Sequence, residues 1–132
     1  MSNETPIEPT KEQHRSFPDG LKEILKEDPR YAREAYVLVM EALAFTCTEL
    51  GREGHVTGRE LLEGFRKHVL KEYGPMARLT LAEWGIERGE DVGHIVFNLV
   101  EHNLLRKTDT DSIDDFAGGY SFHEAFEAPF EG

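Results

Sequence analysis

The stretch that decides the fold is residues 79–107, LTLAEWGIERGEDVGHIVFNLVEHNLLRK. A short helix closed by Gly85 is followed by a tight turn and a longer helix over 90–102, with apolar residues at helical spacing. Asn103 is expected to take a left-handed helix cap, and Leu104-Leu105 to begin a short strand. Together with a preceding helix, this order is typical of a winged helix-turn-helix.

Three further helices are predicted before this stretch. The first covers Phe17–Leu25, and the second opens at Asp28-Pro29, a carboxylate cap followed by proline, and ends at Gly51. The third begins at the capping box Thr57-Gly58-Arg59-Glu60 and ends before Gly74-Pro75. The short helix of the deciding stretch then covers about 76–84.

After the deciding stretch, the alternating residues Tyr120-Ser121-Phe122 predict a second strand, with the polar loop 108–119 between the two strands. The predicted fold class is therefore mainly α, with four to five helices and a C-terminal winged-helix-like helix-turn-helix plus a short β-hairpin. A plain helical bundle with a terminal hairpin is the alternative. The domain prediction is a flexible leader over 1–15, a single helical domain over 16–126 with its winged-helix-like part at 58–122, and a tail over 127–132.

Composition and charge narrow the classes of partner. With 39% hydrophobic and 31% charged residues, the chain has a globular composition. The net charge is −11, and residues 85–132 carry eleven acidic and three basic residues, a net of −8. Such a charge disfavours the nucleic-acid backbone and anionic membranes, because both are bound through Lys and Arg. The polar N-terminus has no secretory pattern, and no apolar run is long enough to span a membrane, so we expect a cytoplasmic protein.

The predicted second helix of the helix-turn-helix carries acids where a DNA-reading helix presents groups to base edges and phosphates. We therefore interpret the chain as a non-enzymatic protein-interaction module whose acidic winged-helix-like surface binds an unknown, basic protein partner. The candidate partner surface consists of Glu90, Asp91, His94, Asn98, Asp109, Asp111, Asp114 and Asp115.

The alternative is a weak nucleic-acid-binding or transcription-associated protein. It would use the basic face of helix 58–73 and the base of the wing, with candidate contacts Arg59, Arg66, Lys71, Arg106 and Lys107. Acidic residues are interleaved with the basic ones on that helix, so nucleic acid is the less favoured partner.

No catalytic, cofactor-binding or metal-ligating residues are assigned. The chain has no Gly-rich phosphate loop, nucleophile elbow, HExxH or CxxC, so an enzyme is the third alternative. His94 and His102 share a helical face but stand about 12 Å apart along the axis, too far to share one ion. The segment DTDSIDD, residues 109–115, fails the EF-hand pattern, since Ile113 and Asp114 occupy the wrong positions. The single cysteine, Cys47, is expected to pack as a small hydrophobe.

The run from Tyr36 to Phe126 resembles a family of short conserved bacterial proteins found in planctomycete and verrucomicrobial genomes. The residues that carry the resemblance are YVLVMEAL, GHVTGRELLEGFRKHVLKEYGPMA, WGI, EDVGHIVFNLVEHNLL and DSIDDFAGGYSF. The resemblance implies a stand-alone one-domain protein and supplies no activity and no catalytic or binding residues.

Oligomeric state stays open at the level of sequence. Phe97 would lie opposite the apolar stripe of its helix, and an exposed aromatic residue there would favour a homodimer or a docking surface.

Overall fold

The computed structural model describes residues 8–9, 16–52, 56–106, 116 and 120–131, and this part of the chain is mainly helical, which confirms the predicted class. The helices are α1 (Phe17–Glu27), α2 (Arg33–Leu50), α3 (Gly58–Tyr73), α4 (Ala77–Glu83), α5 (Gly89–Glu101) and α6 (Phe122–Phe126). Two short 3-10 turns cover Gly74–Met76 and Ala128–Phe130. Two strands, β1 (Glu8–Pro9) and β2 (Leu105–Arg106), pair antiparallel. None of the helices in these ranges is both long enough and apolar enough to span a membrane.

Several helix boundaries follow the local signals in the sequence. Thr57 and Glu60 form the predicted capping box, in which Glu60 N donates to Thr57 Oγ1 and Thr57 N donates to Glu60 Oε1. Helix α2 ends at Gly51 with φ of 68°, and Asn103 has the left-handed φ of 61° that its position after α5 predicts. These three predictions are confirmed.

The start of α2 was predicted wrongly. Asp28-Pro29 does not open the helix, although the Asp28 carboxylate accepts hydrogen bonds from the Arg30 amide two residues on and from the Arg30 guanidinium. The chain from Tyr31 to Ala32 then forms a short connection, and Ala32 N donates to Trp84 O at 3.1 Å. Helix α2 begins only at Arg33, once the chain has made this contact with the end of α4.

The predicted β-hairpin is also wrong. Strand β2 forms where Leu104-Leu105 predicted a strand, but its partner is β1, with Glu8 opposite Arg106 and Pro9 opposite Leu105. Tyr120–Phe122 does not pair with it, and α6 begins at Phe122. Without that hairpin in the described residues, the winged-helix prediction is not supported beyond its helices. Of the predicted loop over 108–119, only Phe116 lies among the described residues.

Helix α6 has an ordinary N-terminal cap. Ser121 Oγ accepts a hydrogen bond from Glu124 N at 3.1 Å, as Ser, x, x, Glu sequences do at helix starts. The segment that starts at Tyr120 is held to the core by aromatic contacts. Phe126 packs edge-to-face on Phe122 and on Phe65 of α3, with centroids 4.9 and 6.5 Å apart. Tyr120 Oη donates to Leu62 O at 2.6 Å, which anchors the same segment to α3.

Helices α2 and α3 approach each other closely at Gly64. A Cβ added at Gly64 would lie 1.7 Å from Thr46 Oγ1 and 2.8 Å from Thr46 Cβ. Thr46 is buried, and its hydroxyl donates to Ala42 O at 2.7 Å, so it has little room to move. Glycine therefore sets the distance between the two longest helices of the described chain.

We expect Gly64→Ala to lower the free energy of unfolding by about 1–3 kcal/mol, because overpacking outweighs the ~1 kcal/mol gain in helix propensity. Urea unfolding followed by circular dichroism measures the change. Glu72→Ala, an exposed change on the same helix, is the control and should stay within about 0.5 kcal/mol of the wild type. A stabilised Gly64→Ala variant would contradict the close approach of α2 and α3.

Candidate functional site

The polar face of α5 is directed at the connection between α1 and α2. Tyr31 Oη donates to Asp91 Oδ1 at 2.7 Å and lies 3.2 Å from His94 Nδ1. The other carboxylate oxygen of Asp91 accepts hydrogen bonds from the amides of Glu87 and Arg88, at 2.8 and 3.2 Å. Asp91 therefore caps the start of α5 and also fixes the buried Tyr31 against it.

One turn beyond His94, Asn98 also joins α5 to the region between α1 and α2. Its Nδ2 donates to Asp28 Oδ2 and to Tyr36 Oη, each at 2.9 Å. Arg30 approaches the Asp28 carboxylate from the solvent side, with Nε and Nη2 donating at 2.9 and 2.8 Å. This bidentate geometry gives the carboxylate charge-assisted partners on one side and an amide on the other.

The electrostatics of the cluster follow from these contacts. The Arg30 guanidinium, helped by the Asn98 amide, holds the pKa of Asp28 well below its usual range. Burial, together with the hydrogen bond to the Asp91 carboxylate, raises the pKa of Tyr31 well above its usual value. At neutral pH, Asp28 is therefore ionised and Tyr31 is a neutral donor.

The contacts divide the predicted partner surface into two parts. Asp91, His94 and Asn98 are partly buried and take part in bonds within the chain, and Glu90 beside them is also partly buried. Asp91, His94 and Asn98 therefore serve contacts within the domain. The remaining members, Asp109, Asp111, Asp114 and Asp115, lie outside the described residues, so their part in partner binding stays a prediction.

Phe116, which directly follows those aspartates in the sequence, is buried against α5. A Cβ on Gly93 would lie 2.8 Å from a ring carbon of Phe116, and a Cβ on Gly89 would lie 2.4 Å from the Phe116 carbonyl oxygen. The absence of side chains at these two positions lets the phenylalanine reach the core, where it is 1% exposed. Phe97 is half-buried, so the exposure that favoured a homodimer is not found.

The basic residues of the nucleic-acid alternative are partly neutralised. Arg66 is paired with Glu63, and Lys71 lies 6.0 Å from the centroid of the Phe45 ring. Arg59 is exposed on α3. Lys107 and the side chain of Arg106 lie outside the described residues. The described part of this set offers no extended row of unpaired cations to a phosphate backbone, and no observation favours this function.

Within the described ranges, no group of three or more His, Cys, Asp or Glu residues is arranged to hold a metal ion. His102 Nε2 lies 3.2 Å from Glu27 Oε1, and its Nδ1 lies 3.0 Å from Asn98 O. His94 contacts Tyr31 as described. The two histidines therefore serve separate contacts between α5 and the first two helices.

A groove lies between α4 and the C-terminal end of the described chain. Its volume is about 500 Å³. One wall is formed by one face of the Gly74–Met76 turn and α4, and the other by α6 and the turn that follows it. The lining residues are Pro75, Arg78, Leu79, Ala82, Glu87, Phe126, Glu127, Phe130 and Glu131.

The groove is apolar at its rim and acidic in charge. Leu79 is 64% exposed and Phe130 is 46% exposed, which is unusual for large apolar side chains that converge on one depression. Three glutamates line the groove, at positions 87, 127 and 131, against the single cation Arg78. The Arg78 guanidinium lies 5.7 Å from the centroid of the Phe122 ring, and its buried Nε has no hydrogen-bond partner among the described residues.

A histidine bridges two of these glutamates. His123 Nδ1 lies 3.0 Å from Glu127 Oε1, and its Nε2 lies 3.5 Å from Glu131 Oε2. Both carboxylates raise the pKa of His123, although the side chain is exposed. The contacts hold the 3-10 turn that carries Phe130 against the end of α6.

Sequence reasoning missed this groove. One local signal was present, since Pro75, Leu79 and Ala82 follow a helical spacing that leaves Leu79 off the buried face. The other wall comes from the C-terminal end of the described chain, where the sequence alone does not distinguish Phe126 from Phe130. Phe126 is buried while Phe130 is exposed, and only the docking of α6 separates the two.

The lowered pKa of Asp28 makes a prediction about acid stability. Its ionised form stabilises the fold above the unfolded-state pKa of about 4, and this contribution is lost as the pH falls from there toward the folded-state pKa. We expect Asp28→Asn to be less stable than the wild type at pH 7, and to lose less stability than the wild type between about pH 4 and pH 2.

Urea unfolding at a series of pH values measures both effects. Glu72→Gln, an exposed carboxylate change on α3, is the control and should retain the wild-type pH dependence. If Asp28→Asn lost stability as steeply as the wild type below about pH 4, the contact of Asp28 with Arg30 and Asn98 would not hold in solution.

The chain matches none of the protein families, curated proteins or solved structures with which it was compared.

Proposed function

We propose that this protein is a non-enzymatic interaction module that binds a basic, amphipathic segment of a partner protein in the groove between α4 and the C-terminal turn. The observation that carries the proposal is the convergence of exposed Leu79 and Phe130 on one groove that also presents three glutamates. An apolar rim beside acidic groups complements a segment with apolar side chains on one face and Lys or Arg beside them.

The helix-turn-helix order is part of this proposal as a scaffold. Support comes from the short α4, the left-handed Gly85 after it with φ of 93°, and the longer α5. In this arrangement α5 packs on the connection between α1 and α2, and α4 carries the surface offered to the partner. The aspartates at 109–115 would add negative charge to the molecule and speed the approach of a basic partner.

A second copy of the chain is a less suitable occupant. Each copy has a net charge of −11, and a symmetric contact through this groove would bring the two sets of glutamates together. Like charges at an interface disfavour association, so the charge of the groove points to a different, basic protein.

A synthetic amphipathic peptide of leucine and lysine tests the proposal, with a leucine–glutamate peptide of the same spacing as its control. We expect the lysine peptide to bind and the glutamate peptide not to bind. The variant Leu79→Ser/Phe130→Ser should weaken binding at least about fivefold, since it removes two apolar contacts worth roughly 1 kcal/mol or more together. Both side chains are exposed, so the melting temperature should change little.

Fluorescence anisotropy of a labelled peptide measures the affinity, and chemical shifts of the protein amides locate the site. The matched control is Leu50→Ser, which changes a leucine that is 43% exposed outside the groove. Equal binding by the groove variant and the wild type would refute the groove. A larger loss of peptide affinity in the variant Asp111→Lys/Asp114→Lys/Asp115→Lys would show that the partner binds the aspartate segment and not the groove. If the wild type were a dimer and the groove variant a monomer, the groove would be shown to bind a second copy of the chain.

A further inference from the structure

A second depression lies between α2 and the C-terminal end of α4. Its volume is about 220 Å³, and it is lined by Glu34, Val37 and Glu41 of α2 and by the aromatic residues Tyr73 and Trp84. This is smaller than the ~300 Å³ at which sites for whole small-molecule ligands begin. The cleft therefore suits one side chain or one small head group.

The two aromatic rings form perpendicular walls. The centroids of Tyr73 and Trp84 are 6.0 Å apart, and their planes meet at 84°. Trp84 is held in place by its backbone, because its carbonyl oxygen accepts the hydrogen bond from Ala32 N and its amide donates to Leu81 O at 3.1 Å. The aromatic corner is thus fixed to the same connection that positions α5.

Carboxylates surround this corner. Glu34 and Glu41 line the cleft from α2, seven residues and therefore about two turns apart. Burial of Tyr73, together with the nearby charges of Glu41 and Glu72, raises the pKa of the phenol, so the ring stays neutral while negative charge lies beside it. Glu41 Oε1 lies 3.4 Å from His68 Nε2 on α3.

We propose that this cleft binds an alkylammonium group, such as a lysine side chain or a quaternary ammonium head group. Faces of Trp and Tyr attract cations through the ring quadrupole, and two aromatic walls with a carboxylate are the arrangement that recognises such groups. Glu34 and Glu41 attract the cation electrostatically, and because both are exposed they remain hydrated. Half-exposed cation–aromatic contacts are individually weak, so an isolated head group should bind weakly.

Arg33 is the one cation of the cleft lining. It is exposed at the first residue of α2, and among the described side chains its guanidinium is not placed over an aromatic ring. Its charge opposes a bound ammonium group. Replacing Arg33 with Gln should therefore tighten binding, whereas replacing Glu41 with Gln should weaken it.

The experiment uses the fluorescence of the full chain, whose only tryptophan is Trp84. The probes are choline and Nα-acetyl-lysine amide, each titrated at constant ionic strength. The neutral controls of the same shape are 3,3-dimethylbutanol and Nα-acetyl-norleucine amide. We expect a saturable fluorescence change with at least one cation and none with its neutral counterpart, and the tighter of the two cations assigns the source of the head group.

The variants give the second test. Glu41→Gln should raise the dissociation constant about two- to fivefold, as expected for the loss of a solvent-exposed ion pair, and Arg33→Gln should lower it. Glu49→Gln, an exposed change on the same helix outside the cleft, should leave it unchanged. Absence of saturation, equal binding of the neutral probes, or an unchanged dissociation constant in Glu41→Gln would each overturn the proposal.

Binding of an ammonium group in the cleft would be a second function, separate from peptide binding in the groove. Its residues are distinct from those of the groove at Leu79 and Phe130. Loss of peptide binding in the groove variant would leave the choline and lysine titrations unaffected. Failure of those titrations would likewise leave the peptide experiment standing.

Discussion

Asn98 in α5 holds the domain together by donating both hydrogens of its side-chain amide across to the first two helices. One goes to the Asp28 carboxylate at the end of α1, and the other goes to the Tyr36 hydroxyl in α2. A few residues earlier, Asp91 accepts from Tyr31 in the same connection. An unpaired polar group at such depth would cost about 1–3 kcal/mol, so these pairs determine how α5 sits against α1 and α2.

The packing of α5 against α1 and α2 determines which helix faces remain exposed to bind other molecules. The face of α5 that would be presented by a DNA-reading helix is here turned toward the connection between α1 and α2, where its polar groups are occupied. Helix α4 is left at the periphery, with Leu79 exposed beside the groove and Trp84 at its other end beside the cleft. Both proposed binding sites therefore involve α4 or its C-terminal end and not the polar face of α5.

The end of the chain contributes in a different way. The aromatic contacts of Phe122 and Phe126 dock α6 on α3 and α4, and this docking forms the second wall of the groove. Because Phe126 is buried by these contacts, the next aromatic residue, Phe130, remains on the rim. The hydrophobic packing of one short helix thus produces an apolar site on the surface. This site stands out because the chain as a whole is strongly acidic.

Local sequence determined the helical class and most helix ends, because caps act over three or four residues. The box at Thr57 and Glu60, the glycine at 51 and the left-handed Asn103 could all be identified without a structure. The same kind of signal is present at Ser121 and Glu124, where the helix cap prevails over an alternating pattern only three residues long.

Only the tertiary structure decided the pairing of polar groups and the positions of the sites. The Asp28 carboxylate accepts the Arg30 amide as a local cap would, but it also binds the Arg30 guanidinium and the distant Asn98, and α2 begins only at Arg33. The partner of β2 is Glu8–Pro9, at the opposite end of the chain, where no periodic pattern indicates a strand. The walls of the groove and of the cleft come from segments far apart in sequence, so their convergence depends on packing, which no local pattern encodes.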